Sequence, residues 1–301
     1  MDINWVKFFG NTSWVDKVLK YHPTPTPPVP PPPTALPPTN VAIAKSNIYF
    51  ENGEIHFVAN LKNPLSGCQI ILNHGLQAPI YIGLNYSGFP YGIGIFRNNA
   101  WENLSVSGFG STLTEAREYD IRITVKGSFI TLFVDDVQIC SAFGLVEKTQ
   151  IAFYFSGESE VNVSNIKIKK YSPKAFIVMQ YTEEYNELFN EVIKPVCEEH
   201  GFEAIRADDL YTQNQVVQDI IYSIRESAVV IADITPDNPN VYYEVGFSHG
   251  INKPTILLCD TTRERLPFDL SGFRTIFYKN KIAGKSKIEE TLRKHLQAIG
   301  F

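Results

Sequence analysis

The spacing of apolar positions divides this chain into stretches of different period. Ile55 to Leu61, Ile80 to Leu84 and Ile121 to Val125 alternate apolar and polar residues, the period of a half-buried strand. Ile130 to Ile139 reads as two short strands folded about Asp135 and Asp136, and Ile151 to Phe155 and Val161 to Ile168 finish the series. Helical spacing is absent between residues 41 and 170. Regular strands separated by glycine and asparagine turns predict a two-sheet sandwich.

Beyond residue 174 the period lengthens. Ala175 to Met179 is a buried strand. Glu184 to His200 carries helical spacing through Leu188, Val192 and Val196, with Gly201 as its stop and Pro195 expected to loosen its middle. Glu203 to Arg206 is a short strand, and Thr212 caps a helix bearing Val216, Ile220, Ile221 and Ile224. Ala228 to Ala232 is a strand, followed by a helix that Asn238 and Pro239 open and Gly250 closes. Thr255 to Leu258 and Thr275 to Tyr278 are strands, and Ile288, Leu292 and Leu296 stripe a last helix. Strand alternating with helix predicts a doubly wound, flavodoxin-like parallel sheet.

Two segments precede the sandwich. In residues 1–22, Ser13 is placed to cap a short helix with Val15, Val18 and Leu19 on its apolar side. That piece is too short to fold alone, so it docks on its own protein or a partner, or stays disordered. Residues 23–40 are dominated by proline from Pro23 to Pro38, a polyproline II spacer of about 50 Å at ~3.1 Å per residue, or a docking motif for a proline-binding module. The expected organisation is thus 1–22, a linker at 23–40, a β-sandwich at 41–171 and an α/β domain at 172–301.

Composition narrows the function classes. The 301 residues suffice for two domains, 44% are apolar, and the net charge is only −5, without the clustered basic face that nucleic acid requires. No apolar run is long enough to span a bilayer, and the first residues lack the regions of a signal peptide. The four cysteines form no C-x-x-C pair and the six histidines are scattered, so no metal site is assigned and a cytoplasmic, reducing location is expected.

In a parallel sheet, ligands sit beyond the carboxyl ends of the strands. Those ends place Gln180, Tyr181 and Thr182, then Asp208, then Asp233, then Asp260 at one rim. Glu244 lies in the first two turns of its helix, where the dipole favours its ionised form, while a nearby Asp233 raises one of the two carboxylate pKa values. Two carboxylates in one cleft divide nucleophile and acid–base roles at a glycosidic carbon. Tyr181, Tyr242 and Tyr243 supply rings to stack on a base. The plainer alternative is that Asn240, Glu244 and Ser248, at i, i+4 and i+8, form a solvated stripe and Asp233 caps a turn.

The string Asn238-Pro239-Asn240-Val241-Tyr242-Tyr243-Glu244-Val245-Gly246, behind Ala228 to Asp233 and ahead of Lys253-Pro254, resembles the nucleoside 2-deoxyribosyltransferase-like group, which overlaps with TIR-like proteins of bacterial defence. The resemblance spans residues 174–280. It implies Glu244 as the essential glutamate and Asp233 as the residue around the sugar; Gln180, Tyr181, Thr182, Asp208, Asn240 and Tyr243 are the substrate-binding candidates by their place near the rim, and Met179-Gln180-Tyr181 departs from the Met-Pro-Phe of many relatives. It also implies cleavage of an N-glycosidic bond, by hydrolysis of NAD+ or, as the alternative, by transfer of a deoxyribosyl group or hydrolysis of a nucleoside. NAD+ enters as substrate, no separate cofactor is implied, and oligomerisation is the expected switch. A binding module for nucleotides without catalysis is the other reading.

Tyr119 to Ile139, Gln150 to Phe155 and Val163 to Ile168 resemble the concanavalin-like or laminin-G-like jelly roll. Tyr81, Tyr86, Phe89, Tyr91 and Trp101 crowd the middle of the segment, either as core filler or as a face for sugars. The sandwich is accordingly read as a sensor or assembly module for a glycan or a protein partner.

Overall fold

This computed structural model describes residues 2–24, 40–109, 113–209, 216–279 and 281–299. Most of the proline-rich segment and the cap assigned to Thr212 lie outside them. The described chain falls into two compact units, Met1–Val125 with Phe129–Tyr171, and Lys126–Ser128 with Ser172–Phe301.

The first unit is built from fourteen strands. They are β1 (Trp5–Phe9), β2 (Thr12–Val15), β3 (Val18–Tyr21), β4 (Val41–Phe50), β5 (Gly53–Leu61), β6 (Gly67–Leu72) and β7 (Ile80–Tyr86). They continue as β8 (Phe89–Arg97), β9 (Ala100–Ser107), β10 (Glu118–Lys126), β11 (Phe129–Val134), β12 (Val137–Phe143), β13 (Thr149–Ser156) and β14 (Val161–Lys170). Two seven-stranded antiparallel sheets result, ordered β1-β4-β13-β6-β7-β8-β9 and β12-β11-β10-β5-β14-β3-β2. This is the architecture of a jelly-roll sandwich. The alternation read from the sequence is what closes it: Ile55, Phe57, Ala59 and Leu61 of β5 are buried, with half-buried residues between them. Phe57 and Phe153 meet edge to face at 4.9 Å from opposite sheets. Asp135 and Asp136 make the expected tight turn, both with positive φ, as a two-residue hairpin requires.

The helix expected at Ser13 to Leu19 is not formed. Thr12–Val15 and Val18–Tyr21 are the two strands of a hairpin, turning on Asp16 and Lys17 at φ of 52° and 61°. Leu19 and Tyr21 are buried while Lys20 between them is not, so period two governs where period 3.6 was read. Residues 1–22 are also not an appended segment. β1 pairs with β4 in one sheet and β3 with β14 in the other, so these strands belong to both layers.

The second unit holds β15 (Lys174–Val178), α1 (Glu183–Leu188), α2 (Lys194–Glu199), β16 (Glu203–Arg206), α3 (Val216–Glu226) and β17 (Val229–Asp233). It ends with α4 (Pro239–Gly250), β18 (Thr255–Asp260), β19 (Thr275–Tyr278) and α5 (Ile282–Ala298). All five strands are parallel, in the order β16-β15-β17-β18-β19. The inner strands β15, β17 and β18 are apolar on both faces and feed two cores. Ala175, Ile177, Val229 and Ile231 join the core that includes α1, α2 and α5 residues; Phe176, Val178, Val230 and Ala232 join the one that includes Val241 and Val245 of α4. The loosening expected near Pro195 appears as a π-helical turn, Phe189–Ile193, directly before it.

Replacing Leu19, which is 1% exposed, by Ala is expected to destabilise the sandwich by about 2–5 kcal/mol. All three tryptophans, Trp5, Trp14 and Trp101, lie in that unit, so urea unfolding read by tryptophan fluorescence measures the cost there. A change as small as that of a surface substitution, within about 0.5 kcal/mol, contradicts an integral β3.

Candidate functional site

The parallel sheet reverses its order once. The chain leaves β15 for β16 on one side and returns to β17 on the other, so the switch point lies between β15 and β17. A crevice beyond the strand ends is expected there. The residues that the chain delivers to it come from the loop after β15 and from α4, which packs on β15, β17 and β18.

Helix α4 forms as its sequence dictates. Asn238 caps it, its Oδ1 accepting the Asn240 backbone N–H at 3.0 Å, and Pro239 occupies the first helical position where no N–H is needed. Val241 and Val245 turn into the core, and this registers Glu244 and Ser248 on the covered side as well. Glu244 is 8% exposed and Ser248 fully buried, its hydroxyl donating back to the Glu244 carbonyl at 2.8 Å. Asn240 alone of the three is exposed, so the solvated stripe is not formed.

Burial pushes the Glu244 carboxyl up to about 7. The proximity of Asp233 expected from the sequence contributes nothing to it. The reason is the parity of β17. Asp233 continues the Val229–Ile231 side of the strand, while α4 covers the Val230–Ala232 side. Asp233 is 1% exposed; its Oδ2 accepts the Tyr278 hydroxyl at 2.6 Å and its Oδ1 accepts the Thr235 N–H at 2.9 Å. Burial raises its pKa first, those hydrogen bonds lower it, and the nearby carboxylate is Asp260. Asp260 is itself 5% exposed, with Oδ1 accepting Thr262 N–H at 2.7 Å. Asp233 therefore braces the ends of β17 and β19 from beneath.

The sequence-derived substrate residues sort by contact. Tyr181 does approach Glu244: its phenol is pushed up to about 12, by burial first and then by the charges of Glu244 and Asp208. Half of Tyr181 stays exposed, as does Tyr243. Gln180 is half-buried, and Thr182 is an exposed cap residue of α1 whose side chain makes no capping hydrogen bond. Asp208 faces Arg206, accepting from its Nε at 2.9 Å and from its Nη2. Tyr242 donates to Asp237 at 2.7 Å.

Two arginines organise this rim; the sequence places Arg206 at a strand end without giving it a role, and Arg263 did not stand out. Arg206, 7% exposed, also donates from Nη1 to Asn186 Oδ1 at 2.7 Å and lies 4.6 Å from the Phe189 ring and 5.3 Å from the Tyr181 ring. It holds Tyr181 in place through a cation–π contact. Arg263 donates from Nη1 to the carbonyls of Ile234 and Thr235, fixing the loop that leads into α4. A position at a strand end was the only signal for Arg206; Arg263, in a loop between strands, gave none.

No family model matches the chain and no curated protein matches it. Among solved structures, a carbohydrate-binding module, CBM66 from Bacillus subtilis, aligns at TM-score 0.44 and 9% identity over 55% of this chain and 95% of its own. A prokaryotic beta-1,3-1,4-glucanase from a mouse hindgut metagenome aligns at TM-score 0.40 and 13% identity, over 56% and 93%. Bacillus licheniformis beta-glucanase aligns at 0.37 and 11%, over 56% and 92%. Likeness of this degree says nothing of function.

Two outcomes are expected from these geometries. An unfolded glutamate ionises near 4.5 and the folded one near 7, so between those values the native state keeps a proton that the unfolded chain has released. Glu244's contribution to stability is therefore fully present below about pH 4.5 and is lost as pH rises through 7, by an amount on the order of 3 kcal/mol. Glu244→Gln should abolish that decline, matching wild type at pH 4 and exceeding it at pH 8 in urea unfolding followed by circular dichroism. Tyr278→Phe, which strips a donor from buried Asp233, should cost about 1–3 kcal/mol in the same measurement.

Proposed function

We propose that the α/β unit cleaves an N-glycosidic bond, with NAD+ as its substrate and Glu244 as the carboxylate at the anomeric carbon. The observation that carries this reading is a water-poor glutamate beside a half-exposed tyrosine at the switch point of a parallel sheet. The strand order β16-β15-β17-β18-β19 supports a flavodoxin-like doubly wound reading, in which ligands sit beyond the strand ends at the switch point. A carboxyl group with a pKa about 7 is ionised in a large share of molecules at neutral pH, and low surrounding polarity strengthens its attraction for a developing oxocarbenium ion.

The chemistry follows from the leaving group. The nicotinamide of NAD+ is bound through a cationic ring nitrogen. When the C1′–N bond breaks, its electron pair neutralises that ring, and no proton has to be supplied. Glu244 stabilises the ribosyl cation, or bonds to C1′ as a nucleophile. Water then adds at C1′, in the covalent case displacing the Glu244 carboxylate, and loses a proton, giving ADP-ribose. A neutral nucleoside instead releases its base as an anion, which calls for a general acid. Asp233 is held on the other side of β17, and Asp208, which shares Tyr181 with Glu244, is paired with Arg206, so neither is placed as that acid, which favours NAD+ over nucleosides. Tyr181 and Tyr243 offer rings for the base. The deoxyribosyl transfer reading keeps the same glutamate.

In this reading the jelly-roll unit is the sensor or assembly module, and the whole is a cytoplasmic defence effector whose activity rises when copies of the chain assemble. Wild-type protein incubated with NAD+, and separately with pairs of deoxynucleosides and bases, is expected to release nicotinamide and ADP-ribose from the first and leave the second unchanged, by chromatography. The rate should climb with pH and level off above about 7, as Glu244 ionises. Glu244→Gln should lower it on the order of 10²–10⁴-fold. Base exchange without NAD+ loss shifts the assignment to a transferase. Turnover equal in wild type and Glu244→Gln overturns the catalytic role.

A further inference from the structure

The outer face of the β1-to-β9 sheet carries a second feature, independent of Glu244. A groove of about 260 Å³ opens there, lined by Gln69, Tyr86, Ser87, Trp101, Tyr154 and Ser156, beside Asn85. None of these side chains is charged. Trp101 stands on the edge strand β9 with 53% of its surface exposed, although three rings fix it edge-on: Tyr81 at 4.8 Å, Phe96 at 5.2 Å and Tyr86 at 6.1 Å. Of the aromatic cluster seen in the sequence, Tyr81, Tyr86 and Trp101 meet here, while Tyr91 packs on the inner core.

Tyr86 is the anomaly. It is 2% exposed and its hydroxyl has no hydrogen-bond partner. It lies flat over Gly92 and Gly94 of β8; a Cβ at Gly94 would stand 1.7 Å from that hydroxyl, so only glycine admits the ring. Buried polar groups without partners are rare and call for an explanation such as an absent ligand. Gln69 points the same way. Both its amide protons are spent, on the carbonyls of Leu84 at 3.3 Å and Asn85 at 3.0 Å, which leaves Oε1 as an acceptor.

We infer that this groove binds one uncharged sugar residue of a glycan, with Trp101 against the apolar face of the ring and Tyr86, Gln69 and Ser156 bonding its hydroxyls. An exposed tryptophan offers a flat apolar surface, and the neutral donors and acceptors beside it match a polyhydroxylated ligand without net charge. The volume is slightly below the ~300–1,000 Å³ of pockets that enclose drug-sized ligands, which fits a single ring. Among the described lining residues there is no carboxyl group to serve as a general acid, so the groove is inferred to bind, not to cleave.

The test uses the full chain on a printed array of neutral, sialylated and sulfated glycans, followed by titration of the strongest neutral glycan with tryptophan fluorescence. Retention of neutral glycans is expected, about ten-fold or more weaker with Trp101→Ala. Tyr86→Phe should also weaken binding several-fold, yet leave the unfolding temperature unchanged or higher, because it removes an unsatisfied hydroxyl without changing shape. Binding of charged glycans only, absence of any retained glycan, or wild-type affinity in both variants overturns the site. If Trp101→Ala does not fold, Tyr86→Phe decides alone. NAD+ turnover plays no part in these readouts, so the two proposals fail separately.

Discussion

The α/β unit depends on keeping one carboxyl group away from water. Glu244 has been drawn under cover by the valines on either side of its helical turn, and among the described residues no positive group offsets the cost. A helix that packs Val241 and Val245 into the sheet has no freedom to turn Glu244 outward, because the three share one arc of its surface. The same packing that stabilises α4 thus holds a chemically tense group at the rim. Surrounding structure absorbs the expense: Asn238 caps the helix, Arg263 ties the preceding loop, and Arg206 steadies Tyr181.

Asp233 shows how strongly strand parity constrains such a site. Successive side chains of a strand face opposite layers, so a residue at a strand end belongs to the layer its number selects. Asp233 falls with Val229 and Ile231, and there it meets Tyr278, Thr235 and Asp260 in place of the helix that follows it. A single residue of register separates a brace from a reagent.

The sequence made the alternation of strand and helix beyond residue 174 legible, since long apolar runs bounded by Asn-Pro and Gly leave little choice of element. Glu244's place in its helix was equally readable. Its lack of solvation was not, because that depends on which face the sheet covers. The pairing of Asp233 with Glu244 was misjudged on proximity along the chain, without counting parity. The error in residues 1–22 has a different origin. Val15, Val18 and Leu19 satisfy helical spacing over a window too short to separate the two periods, and the Asp16-Lys17 turn lacks glycine, which would have marked a hairpin. Arg206, Arg263 and the Tyr86 hydroxyl became visible only with their neighbours in three dimensions.

The position of β3 has a bearing on how this protein comes into being. Its neighbours in the sheet are β2, immediately before it, and β14, whose pairing residues begin at Val161. Domains generally fold as units during synthesis, and contacts between distant parts of a chain are the slow ones to form. While a ribosome is making the intervening strands, the opening hairpin has nothing to zip against on that side. The nascent chain therefore carries an open edge until β14 emerges, and that is the interval in which it is most exposed to wrong partners.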